Sequence, residues 1–372
     1  MTRLREALKD IAEEAPLVHL ADVAVKGHRR RRRATVALAA VSTVVVLGVA
    51  TAGVSVVTAS RDMVRDADAL APSAMSDTVS DLPAGAVGVL SHAYQTNCII
   101  KKEERKADCG KVEWRVVTRE GKTYRLAEAL VRTKKNQGTP IALSRDGRMV
   151  AYYSREAQTY VVRDLVSGTE VTSPVKLKEE RFGLAAMLVL SDDGRHLVFD
   201  PSEGTKDPGL VIDMKTGATL WVPGVYEPIS VKGGVVELVR YVKTDLLLMP
   251  VTGGGQPVNF KGPYIFFSEL APDGRTVVAV KWTRDNRFDE LSLLDVKSGQ
   301  VKRKVPIKGL PKGAGYSSTE LWRSASEIVI TTLGKGGRRA YAIDVNTGRA
   351  QFVTDYKDGG KGNLVLPGTA SQ

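Results

Sequence analysis

The stretch LSRDGRMVAYYS, residues 143–154, followed by VVRDLVSGTEV, residues 161–171, decides the fold. Each half pairs a short apolar run with a turn closed by glycine. In Ser144-Arg145-Asp146-Gly147 and Asp164-Leu165-Val166-Ser167-Gly168, aspartate caps its own backbone two residues on, and glycine supplies the positive φ of a tight hairpin. The first turn returns at Ser191-Asp192-Asp193-Gly194 and Ala271-Pro272-Asp273-Gly274. The second returns at Asp213 to Gly217, Asp295 to Gly299 and Asp344 to Gly348, with degenerate copies ending at Gly121 and Gly253.

The second-turn glycines, 121, 168, 217, 253, 299 and 348, are separated by 47, 49, 36, 46 and 49 residues. They mark six units. The first turn precedes the second by about 20 to 25 residues, room for two strands and a loop, so four strands per unit match a propeller blade. The expected fold is all-β, a propeller of about six four-stranded blades over residues 86–372.

These repeats resemble those of TolB-type propellers, whose pattern runs Ser-Pro-Asp-Gly-Lys/Arg, an apolar strand, then Asp-x-x-x-Gly. "LSDDGRHLVFD" at 190–200 and "LAPDGRTVVAV" at 270–280 carry the likeness, as does "LSLLDVKSGQV" at 291–301. It departs where only Pro272 supplies the proline, where the fourth unit keeps just Gly233-Gly234, and where Arg323 to Glu327 replaces the sixth Asp-Gly turn. No Trp-Asp pair ends a unit, which sets WD repeats aside.

Ahead of the repeats, five arginines, Arg29, Arg30, Arg31, Arg32 and Arg33, abut 27 residues, Ala34 to Ser60, without a charged side chain. A bilayer core about 30 Å thick needs roughly 20 apolar residues as helix. Residues 34–60 are therefore expected to span a membrane once, with the arginines holding residues 1–33 on the cytoplasmic side. The competing reading is a cleaved signal with Val57-Thr58-Ala59 at its end, but 33 residues before the apolar run and the length of that run fit an uncleaved anchor better. Residues 61–85, rich in Asp, Ala, Ser and Pro, are expected as a linker.

In the cytoplasmic segment Leu4, Leu8 and Ile11 fall at i, i+4 and i+7 before Pro16, the pattern of a short amphipathic helix. An isolated helix this short is marginal in water, so its stripe is a candidate partner or membrane contact. The arrangement of residues 4–33 resembles cytoplasmic heads of actinobacterial membrane proteins, some of them anti-sigma-like. That resemblance implies a cytoplasmic protein partner, without the zinc-type signature of His and paired Cys.

Residues 1–33 carry a net +4 of the chain's +12, leaving +8 spread over the outer part without a dense cluster. Solubility accounts for it, and no nucleic-acid partner is expected. Cys98 and Cys109 enclose ten residues, seven of them charged, and are expected to staple the base of a solvated hairpin. In the chain-entropy model such a link contributes up to about 3 kcal/mol.

The chemistry inventory is thin. Only His92 and His196 lie beyond the arginines, and neither a Gly-x-Ser-x-Gly elbow, a His-Glu-x-x-His pair nor a phosphate loop is present. No cofactor, metal or catalytic residue is expected. Trp114, Trp221, Trp282 and Trp322 fall on or beside strands, where blade interfaces account for most of them. Tyr226 and Tyr264, in inter-blade connections, are candidate partner-binding rings, with burial between blades as the competing reading. The expected function is a tethered extracytoplasmic binding module for a protein or envelope ligand, relaying to a cytoplasmic partner. The alternative is a propeller-type enzyme acting on a small molecule or glycan.

Overall fold

The computed structural model describes residues 79–101, 106–241, 244–282, 289–311, 315–334, 337–356 and 363–371. The predicted amphipathic helix, the arginine cluster and the span 34–60 lie outside the described residues. Among those residues, no helix is long and apolar enough to cross a membrane.

Six four-stranded antiparallel sheets form the blades of a propeller. Blade 2 is Ala142–Leu143, Met149–Ser154, Thr159–Asp164 and Glu170–Thr172, from the inner to the outer strand. Blade 3 is Met187–Leu190, His196–Asp200, Gly209–Asp213 and Thr219–Val222, and blade 4 is Glu227–Lys232, Val235–Arg240, Asp245–Pro250 and Pro257–Asn259. Blade 5 is Tyr264–Ile265, Thr276–Lys281, Glu290–Asp295 and Val301–Pro306, and blade 6 is Gly315–Trp322, Glu327–Gly334, Gly337–Asp344 and Ala350–Tyr356. The first recurring turn joins the inner strand to the second, and the second turn joins the third to the outer strand.

Blade 1 is the exception in chain order. Its inner strand is Leu364–Val365, which pairs with Leu90–Gln95 through Ala93↔Val365 and Tyr94↔Leu364, ahead of Trp114–Thr118 and Thr123–Arg125. The ring is closed by a strand from the far end of the chain. A search for turn glycines finds the blades but not this exchange, since a two-residue strand carries no turn signature.

Burial explains why the strands read as continuous apolar runs rather than alternating ones. The second and third strands of a blade are covered on both faces by neighbouring blades: Thr159–Asp164 is buried throughout, as are all but one end of Thr276–Lys281 and Glu290–Asp295. Outer strands are exposed, as in Glu170–Thr172 and Val301–Pro306. Between blades 2 and 3 four rings, Tyr153, Tyr160, Phe182 and Phe199, pack largely edge to face at 5.1–6.2 Å. Such pairs add about 0.5–1.5 kcal/mol beyond area burial.

Glycine in the second turn has two duties. Its positive φ closes the hairpin, and it also sets blade against blade. A Cβ on Gly348 would overlap the Pro306 carbonyl oxygen at the end of blade 5's outer strand, and one on Gly217 would lie 2.9 Å from Pro174 after blade 2. In blade 2, Gly168 meets Gly85 in the same manner.

Residues 80–88, which include the last part of the expected linker, are laid along the propeller. Asp81 and Arg125 form a parallel bridge on blade 1's outer edge, Leu82 N–H donates to Arg125 O, and Val87 and Gly88 N–H donate to Leu165 O. Arg163 donates to the carbonyls of Pro83 and Gly85. Cys98 and Cys109 are bonded and flank a small hairpin of Ile99–Lys101 and Lys106–Asp108, as expected from their spacing.

Candidate functional site

The inner strands of the blades face the propeller axis, and residues 366–371 lie against several of them. Leu366-Pro367-Gly368-Thr369 forms a turn with Thr369 N–H on Leu366 O and φ +75° at Gly368, the pattern of a type II turn with proline second and glycine third. Beyond it the chain doubles back. Gly368 N–H donates to Leu143 O, Leu188 and Ser371 exchange two backbone hydrogen bonds, and the Ser371 hydroxyl donates to Ile141 O. Gly368 also abuts Leu321 and Arg145, so this segment touches the inner regions of blades 2, 3 and 6.

Arg145 extends from the first turn of blade 2 to Glu269 of blade 5, donating to both carboxylate oxygens, and to the Trp322 carbonyl of blade 6. Glu269 is 3% exposed; it also accepts Trp322 N–H at 2.9 Å, while its backbone carbonyl accepts Trp322 Nε1–H at 3.0 Å. Blades opposite one another are thereby latched across the axis. Beside it Glu237 is fully buried, accepting the Ser230 hydroxyl at 3.0 Å and Leu270 N–H at 2.8 Å. Burial pushes its carboxyl up to about 8, against the lowering effect of those two donors, with nearby Glu269 adding to the rise. Among the described residues, no group of three or more His, Cys, Asp or Glu could hold a metal ion.

The tyrosines singled out from sequence are not displayed. Tyr226 is 7% exposed in the layer between blades 3 and 4, with the Arg240 guanidinium 5.3 Å from its ring centre. Tyr264 is 3% exposed beside Phe260 and Phe267 between blades 4 and 5. Both fill inter-blade layers, and neither offers a ring to a partner. Leu4, Leu8, Ile11 and Arg29 to Arg33 lie outside the described residues.

The tryptophans divide. Trp114 and Trp322 are buried, whereas Trp221 is 58% exposed and Trp282 46%. Trp221 stands on the outer strand of blade 3, where Val222 turns inward and Trp221 turns to solvent, a period-2 signal that was present in Thr219-Leu220-Trp221-Val222. Arg181 holds its guanidinium 5.8 Å from the Trp221 ring and donates to Pro208 O at 2.8 Å. Three segments meet here. A Cβ on Gly183 would lie 2.8 Å from Ser202, and one on Gly224 would overlap Asp207 O, so the loops around 183, 202–207 and 224 are packed together. Leu184 and Val225, in the first and third of these segments, are both exposed.

The middle segment starts from Asp200, 3% exposed, whose Oδ1 accepts Ser202 N–H at 3.2 Å and whose Oδ2 has no hydrogen-bond partner. Burial pushes its carboxyl up to about 6, with Glu203 and Asp207 adding to the rise. The surface thus combines an indole, a guanidinium and aliphatic side chains, above a buried carboxyl that is neutral below about pH 6.

No family model matches the chain, and no curated protein matches it. Among solved structures it is similar to TolB from Acinetobacter baumannii, at 17% identity over 74% of this chain and 66% of that one, with a TM-score of 0.47. It thus spans just under two thirds of that chain. It is also similar to a chain of a nidogen/laminin complex (10% identity, 74% and 97% covered, TM-score 0.45) and to a streptogramin B lyase (11%, 77% and 93%, 0.43). The six sheets of the chain itself, not these likenesses, define the propeller.

Proposed function

We propose that this propeller is a binding module that takes a protein partner on the blade 3 surface around Trp221. One observation carries it: a tryptophan 58% exposed on a sheet edge, with an arginine guanidinium against its ring and packed loops on either side. Tryptophan and arginine are the residues most often found at binding hot spots, and a pre-packed loop cluster loses little conformational entropy on docking.

The same proposal tethers the module to a membrane. The 27 uncharged residues after Arg33 serve as a single span, residues 1–33 lie in the cytoplasm, and the propeller lies on the far side, where the Cys98–Cys109 bond is stable. Leu4, Leu8 and Ile11 then form the stripe that meets a cytoplasmic protein, making the chain a receptor with an inner arm.

The test places a photocrosslinking side chain at position 221, 184 or 225 of the full chain in cells, with position 297 on another blade as control. Adducts of one size from the three blade 3 positions, absent at 297 and lost when Arg181→Ala is added to the 184 and 225 variants, are expected. Equal labelling from all four positions refutes the assignment of the surface.

A further inference from the structure

Four blades place an aspartate at the turn between the third and outer strands: Asp164, Asp213, Asp295 and Asp344. Each accepts the N–H groups two and three residues on with its Oδ1. In blades 2, 3 and 5 an arginine from the first turn holds the carboxylate. Arg148 reaches Asp164 at 2.6 Å, Arg195 reaches Asp213 at 2.8 Å, and Arg275 reaches Asp295 at 2.6 Å.

Blade 6 keeps the aspartate and loses the arginine. The backbone identifies the position: the residue after each aspartate donates its N–H to Arg148, Arg195, Arg275 and Ser326 at 2.9, 2.7, 2.9 and 2.8 Å. Ser326 therefore stands where the other blades carry a guanidinium. Hydrogen bonds from Thr347 N–H, and then from the Thr347 hydroxyl and Asn346 N–H, hold the Asp344 carboxyl below the usual carboxylate range, so it stays charged. Among the described residues no cation comes within 4.0 Å of it. The nearby Arg303 is engaged by the Val345 carbonyl and Asn346 Oδ1.

A second change faces the same place. Glu327 lies directly opposite Asp344 in the strand register, where blades 2, 3 and 5 have Met149, His196 and Thr276. Two carboxylates opposed across an antiparallel pair repel, a cost no sister blade carries. They line a cavity of about 650 Å³ together with Lys308, Arg349 and Gln351, whose side-chain heads make no hydrogen bond or ion pair among the described residues.

We infer that this cavity binds an arginine side chain of a peptide, whose guanidinium enters the place left by the missing arginine and rests between Asp344 and Glu327. The sister blades show the geometry: a planar guanidinium on this turn aspartate, donating through Nε and a terminal nitrogen. Lys308 and Arg349 meet the carboxylate or carbonyl acceptors of the ligand's own backbone and hold the cavity at zero net charge.

The probe is N-acetyl-arginine titrated into the full chain and followed by saturation-transfer NMR, with N-acetyl-citrulline as the uncharged match. Saturable binding is expected, about tenfold tighter for arginine than for citrulline, and weakened about tenfold by Glu327→Gln, whose side chain supports nothing else in the fold. Ser326→Arg fills the place from within. It is expected to abolish binding and raise the Tm. Equal binding of the two probes, absence of binding, or undiminished binding in Ser326→Arg or Glu327→Gln overturns the inference. Its failure leaves the Trp221 surface untouched, because that surface belongs to blade 3.

Discussion

Replacing Glu237 with glutamine is expected to stabilise the chain at neutral pH, by an amount that changes with pH in a defined way. In the folded chain burial pushes the Glu237 carboxyl up to about 8 from an ordinary value of 4.5, so at pH 7 it stays protonated while the unfolded chain releases that proton. Folding must then take up a proton, which costs about 1.4 kcal/mol for each pH unit above 4.5. The cost is about 3 kcal/mol at pH 7 and levels off near 5 kcal/mol above pH 8. Below pH 4.5 it vanishes, since both states are protonated. Glutamine keeps an oxygen to accept Leu270 N–H and the Ser230 hydroxyl but has no proton to take up. Urea unfolding of the chain and of Glu237→Gln at pH 4.5, 6, 7 and 8 would measure the difference directly. It should grow from near zero to several kcal/mol in favour of glutamine across that series. A difference that is constant with pH refutes the reasoning, because any loss of packing or hydrogen bonding would shift all four values alike.

Gly348→Ala should cost far more than Gly274→Ala, although both residues have positive φ, 74° and 64°. At Gly274 nothing lies within 4 Å of an added Cβ, so only the backbone strain of about 1–2 kcal/mol applies; at Gly348 the methyl meets the Pro306 carbonyl oxygen, adding about 1–3 kcal/mol of overpacking. Equal losses in chemical denaturation would mean that this glycine sets the hairpin but not the blade spacing. Arg145→Met should lower stability by about 3–5 kcal/mol, because it leaves the buried Glu269 carboxylate without its cation. A loss under about 1 kcal/mol, the value for a surface pair, would show that the latch carries no weight.

The blades were legible because the signals that make them are local. Asp164 and Gly168 close their turn with contacts two to four residues apart, and the same holds in every well-kept copy. The latch was illegible for the opposite reason: Arg145 and Glu269 are 124 positions apart, and nothing about either residue points to the other. Residues 80–85 read as linker because backbone groups hold them to the propeller, and hydrogen bonds to carbonyls leave little mark on composition. Trp221 was legible in principle. Its exposure follows from alternation on an outer strand, but only once that strand is known to be the outermost. The empty arginine position in blade 6 was visible as Ser326 in a degenerate repeat, and its meaning needed the ion pairs of the other blades beside it.

Closure of blade 1 by Leu364–Val365 sets an order of events during synthesis. Blades 2 to 6 each draw their four strands from one continuous stretch, so each has its full complement as soon as that stretch has emerged. Blade 1 must wait. Its strands from Leu90 to Arg125 are made early, yet the partner of Ala93 is Val365, about 270 positions later. Until then the growing chain is an open arc, with the flanks of its first and last blades wet and adhesive. A break in translation between Tyr356 and Leu364 would release a molecule that has five finished blades and no ring.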